Sequence, residues 1–379
     1  MRVLFTGIPV YGHLLPMLPL AVAARAAGDE VAVTTADSMA AAVGDLDFFP
    51  AGATSAQLRA EHERRSGEPG RSSLSDVGWL VGLLGGTRVD LSYDAVLAVA
   101  KEFRPDLIVA DFVDVVAPLV AVAVGVPWAG HNVTTSMPPE FTRAWLDELA
   151  ARAGALGLVP APRVACLEPL PPELRVGSGV AAEDEIAVRP QPYRPPGGEP
   201  VARGSGGRTR VLLTLGTEAD PAVHLNRLLA GLSEVDAEVL VTTDAVPAPA
   251  HIRFVGFTPL ADLLEEVDAV ITAGGAGTVA GTLARGLPMV ILPMVYDQSL
   301  VAECAAATGA ALVVPPEDAA AELGKALRAV LDDPAYRSAA REVAARIAEL
   351  PSPDAAWKEL RRRVTGWAGS GLHRAGGLA

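Results

Sequence analysis

The sequence predicts an α/β protein of two doubly wound parallel-sheet domains facing a central cleft. Three observations carry that prediction. Strand-like and helix-like patterns alternate from residue 2 and begin again in the same way at residue 210. Between the two series, RPQPYRPPGGEPVARGSGGR over 189–208 has no hydrophobic period, and its prolines and glycines mark a linker. Finally, DAVITAGGAGTVAGTLARGLPMVILPMVYDQ over 268–298 reads as a compact strand–turn–helix–strand unit. The divisions that follow are a first domain over 1–190, a linker over 191–208 and a second domain over 209–350. Residues 351–379 then form a terminal helix packing back on the first domain, plus a tail.

Half of the 379 residues are apolar, enough for substantial cores and against disorder over most of the length. A net charge of −14 argues against nucleic acid and anionic membrane surfaces as partners. Two cysteines, Cys166 and Cys304, stand far apart without metal-ligand spacing, which suits a reducing cytosol. The first residues do not read as a signal peptide, because Gly7 and Pro9 interrupt the apolar run at once. The longest apolar run, 115–128, contains Pro118 and Pro127 and falls short of the roughly 20 residues of a membrane span. The expectation is a soluble, cytoplasmic protein with no membrane insertion.

In chain order, 2–6 is the first strand, 14–27 a helix stopped by Gly28, and 30–35 the second strand, a βαβ opening. Asp45-Leu46-Asp47 superficially matches an acidic metal-binding pair but is too short a pattern to carry that reading. Over 54–86 the periodicity weakens, which predicts loop and short helices forming a flap over a pocket. A helix over 89–103, a strand over 106–110, a helix over 113–124 and a strand over 126–129 follow, and then an irregular proline-rich stretch over 160–172. Beyond the linker, strands are expected at 210–215, 238–242, 252–255, 269–272, 289–292 and 311–314, with helices between. Residues 319–331, 334–350 and 354–367 read as amphipathic helices and 368–379 as a frayed tail.

Chemistry concentrates at strand ends. Gly274, Gly275, Ala276 and Gly277 turn from a strand into a helix beginning near Thr278. Such a turn offers unpaired N–H groups and a positive dipole end, a natural phosphate site, or else simply a tight turn. The pattern is neither of the two common nucleotide fingerprints. Six histidines show no metal spacing, and no GxSxG serine elbow occurs. His13 follows the first strand, where a doubly wound domain puts its working residues, and a histidine there suits a general base or a helix cap. Asp111 ends another strand, where it orients His13 or caps the following helix. His131 and Asn132 come after a third strand and line the pocket or satisfy a turn. In the second half Thr217, Phe257, Thr258, Asp297 and Gln298 all follow strands, where they suit phosphate, a flat base and sugar hydroxyls.

Nearly the whole chain resembles the two-domain, GT-B-fold glycosyltransferases of family 1, specifically the bacterial enzymes that decorate antibiotics and other natural products. The residues carrying the resemblance are RVLFTGIPVYGHLLPMLPLAVAARAAGDEV at the start, RPDLIVAD in the middle, then VGFTPLADLL and TAGGAGTVAGTLARGLPMVILPMVYDQ. The resemblance implies two Rossmann-like domains, the first binding acceptor and the second nucleotide sugar. It implies that His13 of the GHxxP turn deprotonates an acceptor hydroxyl while Asp111 orients it. Gly274, Gly275, Ala276, Gly277 and Thr278, with Thr217, would hold the donor diphosphate. Phe257 (where the family usually has Trp) and Thr258 would border the base, and Asp297 and Gln298 the sugar. Tyr11, His131 and Asn132 would contact acceptor.

One departure is chemically serious. The family's His-Gly-Gly-x-Gly-Thr motif begins here with Ala273, and one charge-assisted phosphate bond is worth about 1.5–3 kcal/mol. The expected activity is metal-independent, inverting transfer of a sugar or deoxysugar from a nucleoside diphosphate, thymidine before uridine, to a lipophilic acceptor. Oxygen and carbon linkage both stay open, as does a homodimer, and no cofactor or metal is expected. The alternative is a transferase-like binding protein that does not catalyse, on the strength of Ala273. A nucleotide-sugar epimerase or hydrolase would need extra cleft acids, which the sequence does not reveal.

Overall fold

The computed structural model describes residues 1–69, 76–176, 182–195, 208–216, 221–243 and 246–366. The linker segment 196–207, the tail 368–379 and Thr217 therefore lie outside the described residues. Among the described residues thirteen strands form two sheets with parallel pairing throughout. The first sheet contains β1 (Arg2–Thr6), β2 (Glu30–Thr35), β3 (Asp47–Pro50), β4 (Leu107–Asp111), β5 (Trp128–His131), β6 (Ala165–Glu168) and β7 (Glu185–Ala187). The second contains β8 (Arg210–Thr214), β9 (Glu238–Val241), β10 (Ile252–Phe254), β11 (Ala269–Thr272), β12 (Met289–Ile291) and β13 (Ala311–Val313). Their orders are β3-β2-β1-β4-β5-β6-β7 and β10-β9-β8-β11-β12-β13.

Central strands carry almost nothing but apolar or β-branched residues because helices cover both faces. Val3 and Phe5 point into one core and Leu4 into the other, and all three are fully buried. The second sheet repeats this with Leu212 on one face and Val211 and Leu213 on the opposite one. The strands β3, β6 and β7, absent from the sequence-based expectation, are short and lie toward the sheet edges. The edge strands β3 and β7 bury less, so their hydrophobic period is faint, whereas β6 is buried but only four residues long.

Three local differences have clear causes. The expected helix over 14–27 divides into Tyr11–Leu14, a 3₁₀ turn Leu15–Met17 and Leu18–Ala26, because Pro16 and Pro19 break the ladder. The flap region holds a full helix, Ser55–Ser66, whose capping box joins Thr54 and Gln57. A second helix, Pro139–Ala155, also stands beside the cleft.

The halves are stitched by chain as well as contact. Leu170 and Leu174, from the loop after β6, are buried in the core of the second half. In return the helix Pro353–Thr365 buries Trp357 and Leu360 in the core of the first sheet. The Trp357 Nε1–H donates to Asp29 at 2.9 Å. Residues 189–193 and 195, at the start of the proline-rich stretch, line the cleft, with Tyr193 buried and bonded to the Val43 carbonyl.

Candidate active site

In each sheet the strand order reverses at one place, between β1 and β4 and between β8 and β11. The loops leaving the carboxyl ends of two such strands diverge to opposite faces and open a crevice. His13 and Asp111 stand at the first of these crevices and the glycine-rich turn at the second. Between them lies a cavity of about 700 Å³. The turn after β11 and the turn after β1 come close together: a Cβ on Gly277 would lie 3.7 Å from Pro16 Cγ.

The His13–Asp111 pair is well made. His13 Nδ1 donates to Asp111 Oδ2 at 2.9 Å, with the histidine side chain 24% exposed and the aspartate fully buried. An ionised carboxylate only accepts, so the pair selects the Nδ1–H tautomer and places the imidazole lone pair on Nε2. Asp111 Oδ1 accepts from the Val113 amide at 3.3 Å. The aspartate is the last residue of β4, and the helix that follows starts only at Val116, so it caps no helix.

A second buried pair holds the loop carrying His13. Arg88 and Asp114, both fully buried, share two bonds of 2.9 Å. Arg88 also donates to the Gly7 carbonyl at 2.9 Å, and the Thr35 hydroxyl donates to the same oxygen at 3.0 Å. Sequence reasoning misses this pair. Its signal is a lone arginine beside Gly85, Gly86, Thr87 and Val89, where a charge must find a partner or leave the core.

His131 ends β5 beside Asp111 and lines the cavity. Burial pushes its imidazole down to about 4, against the opposing pull of the Asp111 charge. It is therefore neutral near pH 7, and its buried Nδ1 has no hydrogen-bond partner among the described residues. Asn132 is directed elsewhere: its amide donates to Glu168 at 2.7 Å and its oxygen accepts from the Val133 amide. It braces the turn and is not part of the cavity wall. Tyr11 is on the wall and meets Phe257 of the other half, ring centroids 5.3 Å apart.

In the second half the helix Ala276–Ala284 starts at the cavity, and Gly275, Ala276, Gly277 and Thr278 line it. Gly274 is not on the wall but makes the turn possible: its φ is 93°, and a Cβ would come within 2.8 Å of Ile291 Cγ2. Ala273 is buried and also off the wall. The turn thus presents Gly275, Ala276, Gly277 and Thr278 to the cavity without Ala273. Phe257 is 68% exposed at the cavity, and Thr258 lies beside it with its hydroxyl on the Val255 carbonyl. Asp297 accepts a bond from the Thr134 hydroxyl of the opposite half. Gln298 is mostly committed to its own loop, its Oε1 accepting from the Met294 and Val295 amides at 2.8 and 2.9 Å. Among the described residues, no three His, Cys, Asp or Glu side chains gather as a metal site, and no helix is long and apolar enough to cross a membrane.

Comparison with known proteins matches this architecture. Residues 226–362 match the family described as the C-terminal domain of erythromycin biosynthesis protein CIII-like proteins. The elloramycin glycosyltransferase ElmGT of Streptomyces olivaceus is 32% identical, over 93% of this chain and 95% of that one. Among solved structures, the spinosyn forosaminyltransferase SpnP superposes with a TM-score of 0.78 at 28% identity, covering 96% and 99% of the two chains. The Streptomyces sp. SF2575 glycosyltransferase SsfS6, complexed with thymidine diphosphate, does so at 0.82 and 26% identity, with the same coverage.

Proposed function

Since the chain belongs to the bacterial natural-product glycosyltransferases of family 1, enzymes of antibiotic pathways with the GT-B fold, we propose that it inverts the anomeric centre of a sugar as it transfers it from thymidine diphosphate to a lipophilic acceptor. The observation that carries this reading is the His13–Asp111 pair placed across the cavity from the glycine-rich helix terminus.

In this reading the acceptor hydroxyl lies against His13 Nε2. The proton passes to that nitrogen while the acceptor oxygen bonds to the anomeric carbon and the bond from that carbon to the phosphate oxygen breaks. Asp111 holds the tautomer and stabilises the imidazolium. The departing diphosphate, which takes the bonding electrons, gathers its charge at the N–H groups of 275–278, so no metal is needed to hold it. An acceptor presenting an aromatic carbon could use the same base. His131, Tyr11 and the apolar wall position the acceptor, Phe257 and Thr258 border the base, and Asp297 meets the sugar after exchanging its bond to Thr134. SsfS6, solved with thymidine diphosphate, supports thymidine over uridine.

Calorimetric titration of thymidine and uridine diphosphates, with and without a chelator, tests this. Micromolar binding of the thymidine nucleotide, indifferent to the chelator, is expected. Binding of neither would mean that Ala273 has cost the donor site its function, and a non-catalytic binding role would take first place.

A further inference from the structure

We infer that Arg59 is a specificity-determining residue which selects acceptors presenting an acidic oxygen, such as a phenolate, enolate or carboxylate, to the cavity wall. This deepens, and rests on, the glycosyltransferase reading of the same cavity. Arg59 belongs to the helix Ser55–Ser66 and lines the cavity among Ile8, Leu58, Leu80, Leu83 and Phe141. Its guanidinium carbon lies 5.7 Å from the Trp79 ring centroid, and one Nη donates to the Tyr296 hydroxyl at 2.9 Å. Stacking and that single bond hold the planar fork in place.

The helix's other arginines are electrically satisfied. Arg64 and Arg65 both pair with Glu61, and Arg65 also pairs with Asp90. No ion pair engages Arg59 among the described residues, and its hydrogen-bond partner is a hydroxyl rather than a carboxylate. The one carboxylate on the described wall, Asp297, accepts from Thr134. A guanidinium carries five N–H donors and does not lose its charge in a protein. While the cavity is open, solvent meets the remaining donors. A lipophilic acceptor that fills it strips that solvent away, leaving a charge unpaired unless the acceptor brings an anionic oxygen. A basic acceptor would add repulsion. Arg59 therefore sorts acceptors of similar shape by charge.

Paired fluorescent probes that differ in one group test this: 9-anthracenecarboxylate and 9-anthracenemethanol, titrated into the full chain at neutral pH. The wild-type protein should bind the carboxylate at least about tenfold more tightly, the scale of one charge-assisted bond. Arg59→Gln should bring the ratio near one, and Arg59→Lys should leave it intermediate. Tyr296→Phe should preserve it, which separates charge selection from a mere clasp between the two halves. A wild-type ratio near one, failure of the carboxylate to bind, or a ratio that survives Arg59→Gln overturns the assignment. Thymidine diphosphate titrated into the same samples separates the two levels of inference. Nucleotide binding without charge preference removes the Arg59 role alone, whereas no nucleotide binding by wild type removes the transferase reading with it. Unchanged nucleotide affinity in Arg59→Gln reports that the variant folds.

Discussion

Gly7 and Asp111 pack so closely that a Cβ on the glycine would stand 3.1 Å from the aspartate's own Cβ. Neither partner can retreat freely. Asp111 is held within β4 between β1 and β5, and the Gly7 carbonyl is bound by Arg88 and Thr35. Glycine here lets a buried carboxylate sit directly beneath the loop that carries His13. Gly7→Ala should displace Asp111 from His13 and cost about 1–3 kcal/mol of stability through overpacking. Steady-state transfer assays beside urea unfolding would measure both, and an unaltered kcat would show that the close approach has no catalytic consequence.

His13→Ala should abolish transfer while leaving nucleotide affinity intact, since the variant lacks the proposed base but keeps the glycine-rich turn proposed to hold the diphosphate. Asp111→Asn is the finer test. The amide fills the same space but does not stabilise the imidazolium, so kcat should fall about 10²–10⁴-fold. Calorimetry of thymidine diphosphate with each variant supplies the control, and near-full turnover by His13→Ala would assign the base elsewhere.

Stability should fall in acid through His131. Burial lowers its folded value to about 4 from the usual 6.5, so between those two values the unfolded chain binds a proton that the folded one refuses. Its contribution is fully present above pH 6.5 and is lost as the pH falls toward 4, up to about 3 kcal/mol. Urea unfolding at pH 7 and 4.5, compared between wild type and His131→Gln, should show this portion of the acid sensitivity disappear in the variant. Equal pH dependence in both would place the sensitivity in other groups.

The terminal helix should matter beyond its length. Trp357 is fully buried and bonds Asp29, itself buried. Trp357→Ala should cost about 3–5 kcal/mol. Trp357→Phe, keeping most of the ring but leaving the aspartate short of a donor, should cost about 1–3 kcal/mol. Chemical denaturation followed by circular dichroism would rank the two variants, and a Trp357→Phe variant as stable as wild type would mean that the hydrogen bond contributes nothing.

How legible the molecule was depends on the range of the interaction. The central strands and most helices stand within a residue or two of where the hydrophobic period puts them, because two-face burial leaves a strong local mark. The helix Ser55–Ser66 was expected only as loop and short helices, since its polar face hides the hydrophobic period; the signal that could have found it is the capping box of Thr54 and Gln57. By contrast β3, β6 and β7 are short strands near the edges whose pairing partners, not their own residues, make them strands. Asn132, from its place after a strand, suited either a pocket wall or a turn, and only the resemblance assigned it to the acceptor. Its commitment to Glu168, 36 positions away, could not be seen along the chain.

By itself the sequence determined the alternation of strands and helices, the helix terminus after Gly275 and the presence of a titratable side chain after the first strand. Each follows from side-chain period or turn chemistry within a few residues. Only the tertiary structure decided which groups meet. His13 and Asp111 are 98 positions apart, Thr134 and Asp297 163, and Arg59 and Tyr296 237. The first pairing follows from the order β1-β4 at the point where the sheet reverses, and the other two from the way the halves close on one cavity. Hydrogen bonds and charge pairing act over a few ångströms of space, and that proximity is a property of packed sheets rather than of neighbouring letters.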